Sequence, residues 1–88
     1  MIDKDFLEIY AEDSLQRGIN ARREGRVEDA RKLYASAYSV NRYLGRKEFL
    51  DLCHRLIMST GFDEDNAKIF ERRVFEGMKK VLDSVVKK

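Results

Sequence analysis

Length, composition and charge set the first limits on this chain. Its 88 residues are 43% hydrophobic and 39% charged, and 18 lysines and arginines against 16 acidic residues give a net charge of +2. This composition excludes a disordered tail, and no uncharged run approaches the roughly 20 residues that a membrane span needs. The length predicts a single domain over residues 1–88, and the composition predicts no membrane partner.

The start of the chain and its cysteine content bear on the compartment. The first residues lack a basic stretch followed by an apolar run, so the sequence predicts no secretory signal and a cytoplasmic protein. The lone cysteine, Cys53, excludes an internal disulfide and fits a reducing compartment. Abundant Glu, Lys and Arg beside the single glutamine, Gln16, resemble the composition of heat-adapted proteins.

The first two predicted elements are amphipathic helices over about 3–24 and 27–44. Asp3 is the expected N-cap of the first helix, and Gly45 follows the second where a left-handed C-terminal residue is expected. Apolar and small side chains recur at steps of three and four residues in both, as one buried helix face requires. The predicted buried faces are Leu7, Ala11, Ser14, Leu15, Gly18 and Ala21, then Val27, Ala30, Leu33, Tyr34, Ala37, Tyr38 and Asn41.

Two further helices are predicted over about 46–60 and 63–86. The third has a broad apolar face from Phe49 to Ile57, which predicts burial on more than one side. The fourth follows Asp63, an expected N-cap succeeded by acids that suit the helix dipole. Together the segments predict an all-α, antiparallel four-helix arrangement with short connections. The predicted inward seam of the fourth helix is Ala67, Phe70, Val74, Met78, Val81, Leu82 and Val85.

Small and aromatic residues in the first helical hairpin carry a more specific pattern. Their successive steps are seven, five, four and three residues, at Gly18, Gly25, Ala30, Tyr34 and Ala37. This spacing resembles the tetratricopeptide repeat (TPR), a helix-turn-helix unit, over residues 11 to 44. The resemblance implies an interaction module, although Ser14, Ala21 and Arg42 depart from the family pattern and no second unit follows. Close packing of any helical hairpin favours the same residues, so both interpretations stay open.

The residues with reactive side chains do not form a recognisable catalytic or metal-binding motif. His54 is the single histidine, and a metal site needs three or four ligands at defined spacing. Asp51, three residues earlier on the same predicted helix, could only orient His54, and no nucleophile accompanies the two. We therefore predict no catalytic residues, no cofactor and no metal, and a histidine at the edge of the core.

The leading functional hypothesis is a small protein-protein interaction or scaffold module that self-associates or binds another protein. Tyr10, Tyr38 and Tyr43 are the candidate partner-binding residues, because tyrosine combines a large contact area with a polar tip. A solitary repeat-like hairpin also leaves apolar surface that a neighbour usually covers.

The alternative hypothesis is nucleic-acid binding by basic residues near the ends of the hairpin. Lysines and arginines gathered on one face would neutralise phosphates. Acidic residues lie close to each basic pair in the sequence, which favours solvated ion pairs instead. The residues of this alternative are Arg22, Arg23, Arg26, Arg46 and Lys47.

Overall fold

A computed structural model describes residues 2–86 as four helices. Met1, Lys87 and Lys88, which belong to the predicted domain, lie outside the described residues. Within residues 2–86 the remaining regular structure is one isolated bridge between Ile2 and Val86. The predicted all-α, antiparallel four-helix arrangement is confirmed. The helices are α1 (Lys4–Arg23), α2 (Val27–Tyr43), α3 (Lys47–Met58) and α4 (Glu64–Val85).

The helix ends follow from local capping chemistry. A side-chain oxygen of Asp3 accepts a hydrogen bond of 2.9 Å from the Phe6 amide, and Asp63 accepts one of 2.8 Å from the Asn66 amide. These bonds satisfy amides that have no partner within the first turn of a helix. Gly25, with φ of 79°, makes the turn between α1 and α2, a backbone conformation that a Cβ would strain. Both N-caps are those predicted.

Helix α2 lies at the centre of the fold and packs against α1, α3 and α4. Its small side chains let all three neighbours approach. In contrast, only Cys53 and Ile57 are buried on α3. Helix α3 contacts both α2 and α4, but its predicted broad face is covered incompletely, since Leu52 is 47% exposed. Helix α2 is the more deeply buried of the two, because its small residues admit close neighbours. The buried residues of α2 are Ala30, Tyr34, Ala35, Ala37, Ser39, Val40 and Asn41.

The closest approach between α1 and α2 is at Gly18. A Cβ placed there would lie 2.6 Å and 2.8 Å from ring carbons of Tyr34, distances that atoms in contact do not reach. The Tyr34 ring is buried in the space that the missing side chain leaves. Glycine at this position therefore fixes the packing distance between the two helices.

Two hydrophobic clusters divide the core along the length of α2. The first joins Tyr34 on α2 to Ile57 on α3 and Ala67 on α4. The second, near the two ends of the chain, joins Leu7 on α1 to Val40 and Leu82. The Ile2 amide donates a 2.9 Å hydrogen bond to the Val85 carbonyl, so α1 begins beside the point where α4 ends.

Arg31 on α2 holds the turn between α3 and α4. Its guanidinium donates to the side-chain oxygen of Thr60 at 2.8 Å and to the Thr60 carbonyl at 2.7 Å. The same group stacks 3.9 Å above the ring of Phe62. Planar guanidinium geometry makes both interactions available at once. Within residues 2–86, no helix combines the length and apolar character that crossing a bilayer would require.

Candidate interaction surface

An apolar groove separates the first half of α1 from the last half of α4. In this region both helices pack on α2, α1 through Leu7 and α4 through Leu82. They make little direct contact with each other. The depression between them has a volume of about 170 Å³. We call this feature the α1–α4 groove, and its lining residues are Ile2, Phe6, Leu7, Tyr10, Val40, Met78, Val81, Leu82 and Val85.

The rim of the α1–α4 groove exposes large apolar side chains. Val81 is 60% exposed, Phe6 52% and Tyr10 40%, and Ile9 beside them on α1 is 66% exposed. Val81 was predicted to face inward, and this prediction is wrong because α4 turns its Leu82 side towards α2 and leaves Val81 at the rim. Phe6, Tyr10 and Val81 line the groove, and Ile9 follows Phe6 by three residues on the same side of α1, so large exposed apolar groups gather at this rim.

The segments of α1 and α4 that border the groove differ in charge, although neither whole helix carries a net charge. On α1 and its N-cap, residues 3 to 13 include five acids and one lysine. On α4, residues 72 to 83 include four basic residues and two acids. One of those two acids, Asp83, already accepts a hydrogen bond of 3.0 Å from Tyr43. Some of these charged groups face away from the groove, since Glu12 lies beside Arg46 and Arg72 lines a cleft bordered by α2, α3 and α4. By helical spacing, the acidic edge of the groove is Asp5 and Asp13 on α1, and its basic edge is Arg73 and Lys80 on α4.

Gly77 lies in the middle of α4 beside this surface and is exposed. Apart from its own helix backbone, no atom of residues 2–86 lies within 4 Å of the position that a Cβ would take there. A glycine inside a helix costs about 0.5–1 kcal/mol relative to alanine. At Gly18 the close packing of the Tyr34 ring offsets this cost. At Gly77 no packing contact within the described residues offsets it.

The structure separates the three candidate tyrosines. Tyr10 lines the α1–α4 groove. Tyr43 is half-buried against the cluster at the chain ends, and burial followed by its bond to Asp83 raises the pKa of its hydroxyl. Tyr38 lies away from the groove, in a polar cleft bordered by α2, α3 and α4. Of the predicted partner-binding set, only Tyr10 belongs to the exposed apolar surface.

The basic residues of the alternative hypothesis form two separate groups at opposite ends of α2. Seventeen helical residues span about 25 Å. At the first end, Arg22 donates to the hydroxyl of Ser59, and Arg26 forms ion pairs with Glu24 and Asp29. Arg23, in the last turn of α1, is exposed there.

At the other end of α2, Arg46 is largely covered. Its guanidinium lies 4.2 Å above the ring of Phe49 and 4.0 Å from Glu12. Lys47 next to it is exposed. The five residues therefore do not form one continuous basic face.

The polar cleft around Tyr38 contains the single histidine. Nδ1 of His54 on α3 and Oε2 of Glu71 on α4 share a hydrogen bond of 2.6 Å. Glu71 is 4% exposed, and burial raises the pKa of its carboxyl, with His54, Lys68 and Arg42 opposing the rise. Asp51, the partner considered from the sequence, pairs with Arg55 instead. The bond between His54 and Glu71 connects two helices that share few other contacts.

Cys53 lies next to this pair in the chain but is not available as a nucleophile. Its side chain is fully buried, and burial raises the pKa of the thiol to about 11. A thiol reacts as the thiolate, so the neutral form present near pH 7 is inert. Within residues 2–86, no group of three or more His, Cys, Asp and Glu side chains is placed to hold a metal ion.

Comparisons with protein-family models, curated proteins and solved structures found no significant match to this chain. The resemblance of the first hairpin to a TPR unit therefore stays a prediction.

Sequence reasoning missed several residues of these sites, and in each case a signal was present. Phe6 and Ile9 stand outside the Leu7–Ala11–Ser14 stripe, so α1 has more apolar residues than one buried face accommodates. Glu71 lies four residues after Ala67, which places it on the buried face of α4. Gly77 is a helix-interior glycine with no turn to make.

Proposed function

We propose that this chain is a protein-protein interaction module that binds its partner in the α1–α4 groove. The observation that carries the proposal is the exposure, from 40% to 66%, of Phe6, Tyr10 and Val81 in the groove and of Ile9 next to them on α1. Water contact with this much apolar surface is unfavourable, and a partner that covers it gains roughly 25 cal/mol per Å² removed from water.

The groove is suited to the apolar face of a helix. It lies between two antiparallel helices and has Leu7, Val40 and Leu82 at its floor. A partner helix with large apolar side chains at steps of three and four residues would place them along the floor. The hydroxyl of Tyr10 at the rim would remain within reach of polar groups on the partner.

The polar cleft is a weaker candidate for a functional site. Its lining mixes Arg42, Lys68 and Arg72 with Asp51, Glu64 and Glu71, so it has no strong preference for one sign of ligand charge. Glu71 is engaged with His54, and the adjacent thiol is neutral. These features favour a structural role for the pair in holding α3 to α4.

Site-specific crosslinking tests the proposed function. A photoreactive amino acid at Val81 should capture a protein partner in the native lysate, while the same group at Leu52 should not. Leu52 is the matched control because it is also apolar and 47% exposed but lies on α3. Equal capture from both positions, or capture from neither, would contradict the proposal.

The nucleic-acid alternative has a separate readout. If the basic residues bound DNA or RNA, a gel shift at low salt would weaken steeply with added salt. Removing charge at Arg23 and Lys47, both exposed, would then weaken binding further. We expect no shift, because the basic residues are divided between the two ends of α2.

A further inference from the structure

We infer that the partner in the α1–α4 groove is a second copy of this chain, related by a two-fold axis that runs along the groove. This inference rests on the proposed function and names its partner. Three observations support it: the opposite charge of the two groove edges, the positions of those charges along the helices, and the unfilled space at Gly77.

Opposite charge on the two edges favours a copy of the same surface. A two-fold axis parallel to the groove places the α1 edge of one protomer on the α4 edge of the other, twice. The acidic edge, with Asp5 and Asp13, then meets the basic edge, with Arg73 and Lys80. A uniformly charged partner would be repelled by one edge or the other.

The charges also lie at matching levels along the groove. Asp5, Ile9 and Asp13 form a row along the outer side of α1 at four-residue spacing. Counting about 1.5 Å per residue from the contact between Ile2 and Val86, Asp5 lies at about 5 Å and Asp13 at about 17 Å. On the same scale Lys80 lies at about 9 Å and Arg73 at about 20 Å.

A two-fold axis along the groove preserves these levels. It therefore brings Asp5 towards the partner copy's Lys80, and Asp13 towards its Arg73. Asp5, Arg73 and Lys80 take part in none of the ion pairs formed within residues 2–86, and Asp13 pairs only with the exposed Arg17. These side chains are consequently available for contacts across the interface.

Gly77 provides space for the apolar contact between the two charge pairs. On the scale used above it lies at about 14 Å, next to Ile9 and Tyr10 at about 11 Å and 12 Å. Gly77 precedes Val81 by four residues and so shares its face of α4. In the dimer, Ile9 or Tyr10 of one copy packs over Gly77 of the other, as Tyr34 packs over Gly18 within one chain.

Sedimentation equilibrium over a range of protein concentrations tests the inference. The wild-type chain should convert from monomer to dimer, and Val81→Glu should abolish this conversion while Leu52→Glu preserves it. Asp5→Lys and Lys80→Glu should each raise the dimer dissociation constant by about tenfold, because each variant replaces two attractive pairs with repulsive ones. The double variant should recover most of the loss, since every Asp5–Lys80 contact is then reversed.

Gly77→Ala separates association from stability. In monomer at low concentration, alanine should raise the melting temperature by about 4 °C through helix propensity. In the same variant the dimer dissociation constant should rise at least tenfold, because the added methyl group occupies the contact. A merely damaged fold would lower both stability and association.

The outcomes separate this inference from the proposed function. A chain that stays monomeric at every concentration but crosslinks another protein from Val81 would overturn the second-copy inference and leave the interaction module intact. A dimer unaffected by Val81→Glu would overturn the inference, because the copies would then associate through a surface other than the groove. Failure of the double charge variant to recover binding would overturn the two-fold arrangement.

Discussion

Two glycines in long helices have opposite surroundings. Gly18 faces the ring of Tyr34, where a Cβ would come within 2.8 Å of two ring carbons, whereas Gly77 has open space. The residue type alone does not distinguish them. The spacing of Gly18 from Ala11, Ser14 and Ala21 did predict its burial, because all four lie on one helix face.

Gly18→Ala should destabilise the fold. The added methyl group must displace Tyr34 or push α1 from α2, and overpacking of this kind costs about 1–3 kcal/mol. The gain in helix propensity, about 1 kcal/mol, offsets only part of this cost. Urea denaturation followed by circular dichroism measures the difference, with Gly77→Ala as the matched control that should gain stability. A Gly18→Ala variant as stable as Gly77→Ala would contradict the tight packing at Tyr34.

Glu71 shows how a buried charge depends on residues that are distant in sequence. Its carboxyl meets His54 from α3, and Arg42 from α2 and Lys68 from α4 also act on it. The spacing from Ala67 places Glu71 on the buried face of α4, although the sequence analysis did not assign it there. The identity of its partner could not be predicted, because it depends on how α3 and α4 are placed side by side.

Glu71→Gln should change the pH dependence of stability. Because burial raises the pKa of Glu71, the folded chain retains this proton to higher pH than the unfolded chain. Wild-type stability should therefore fall relative to Glu71→Gln as pH rises from the ordinary pKa of a glutamate through the raised pKa of Glu71. Above that window the difference should be constant. Unfolding free energies of both chains across acidic and neutral pH test this, and parallel curves would contradict the shift.

At the scale of elements, capping residues and glycines in the sequence predicted where the helices begin and end. How deeply each helix is buried depends on tertiary packing. The N-caps Asp3 and Asp63 and the turn at Gly25 are short-range chemistry, visible in a few consecutive residues. Whether a helix is central or peripheral depends on how closely its neighbours approach. Helix α2 is central because Ala30, Ala35 and Ala37 leave room on several sides, a property that apolar periodicity along a single face does not detect.

Among the contacts that join helices, those of Arg31 give the clearest prediction for a loss of stability on substitution. Arg31→Lys would keep the charge but lose the paired hydrogen bonds to Thr60 and the flat stacking on Phe62. We expect a loss of about 1–2 kcal/mol in the free energy of unfolding. Lys32→Ala, an exposed neighbour, should stay within about 0.5 kcal/mol of wild type. Chemical denaturation of both variants tests this, and equal effects would show that the turn does not depend on Arg31.

At the scale of the whole molecule, the α1–α4 groove results from the way the helices share one support. Both α1 and α4 pack on α2, and beneath the groove they do so through Leu7 and Leu82. Their outer sides, with Phe6 and Val81, then remain exposed. Sequence periodicity assigned Val81 to the interior because it cannot distinguish the buried side of a helix from an exposed apolar rim beside it.

The interaction hypothesis from the sequence depended on three tyrosines. In the structure, a mainly aliphatic and aromatic rim is the exposed apolar surface, and Tyr10 is the one tyrosine of the three that belongs to it. Tyr38 lies in the polar cleft and Tyr43 is half-buried against the cluster at the chain ends, while aliphatic and phenylalanine side chains supply most of the exposed apolar surface. The function proposed from sequence and the one proposed from structure agree in class. The surface that would perform it is different.

Nuclear magnetic resonance spectra recorded as protein concentration increases test the central claim most directly. If copies of the chain meet through the α1–α4 groove, the signals of Phe6, Ile9, Gly77 and Val81 should shift together as dimer forms. The signals of Leu52 on α3 and Ile69 on α4, which are also exposed apolar residues, should stay constant. Spectra that do not change with concentration, or changes centred on Leu52, would contradict the account.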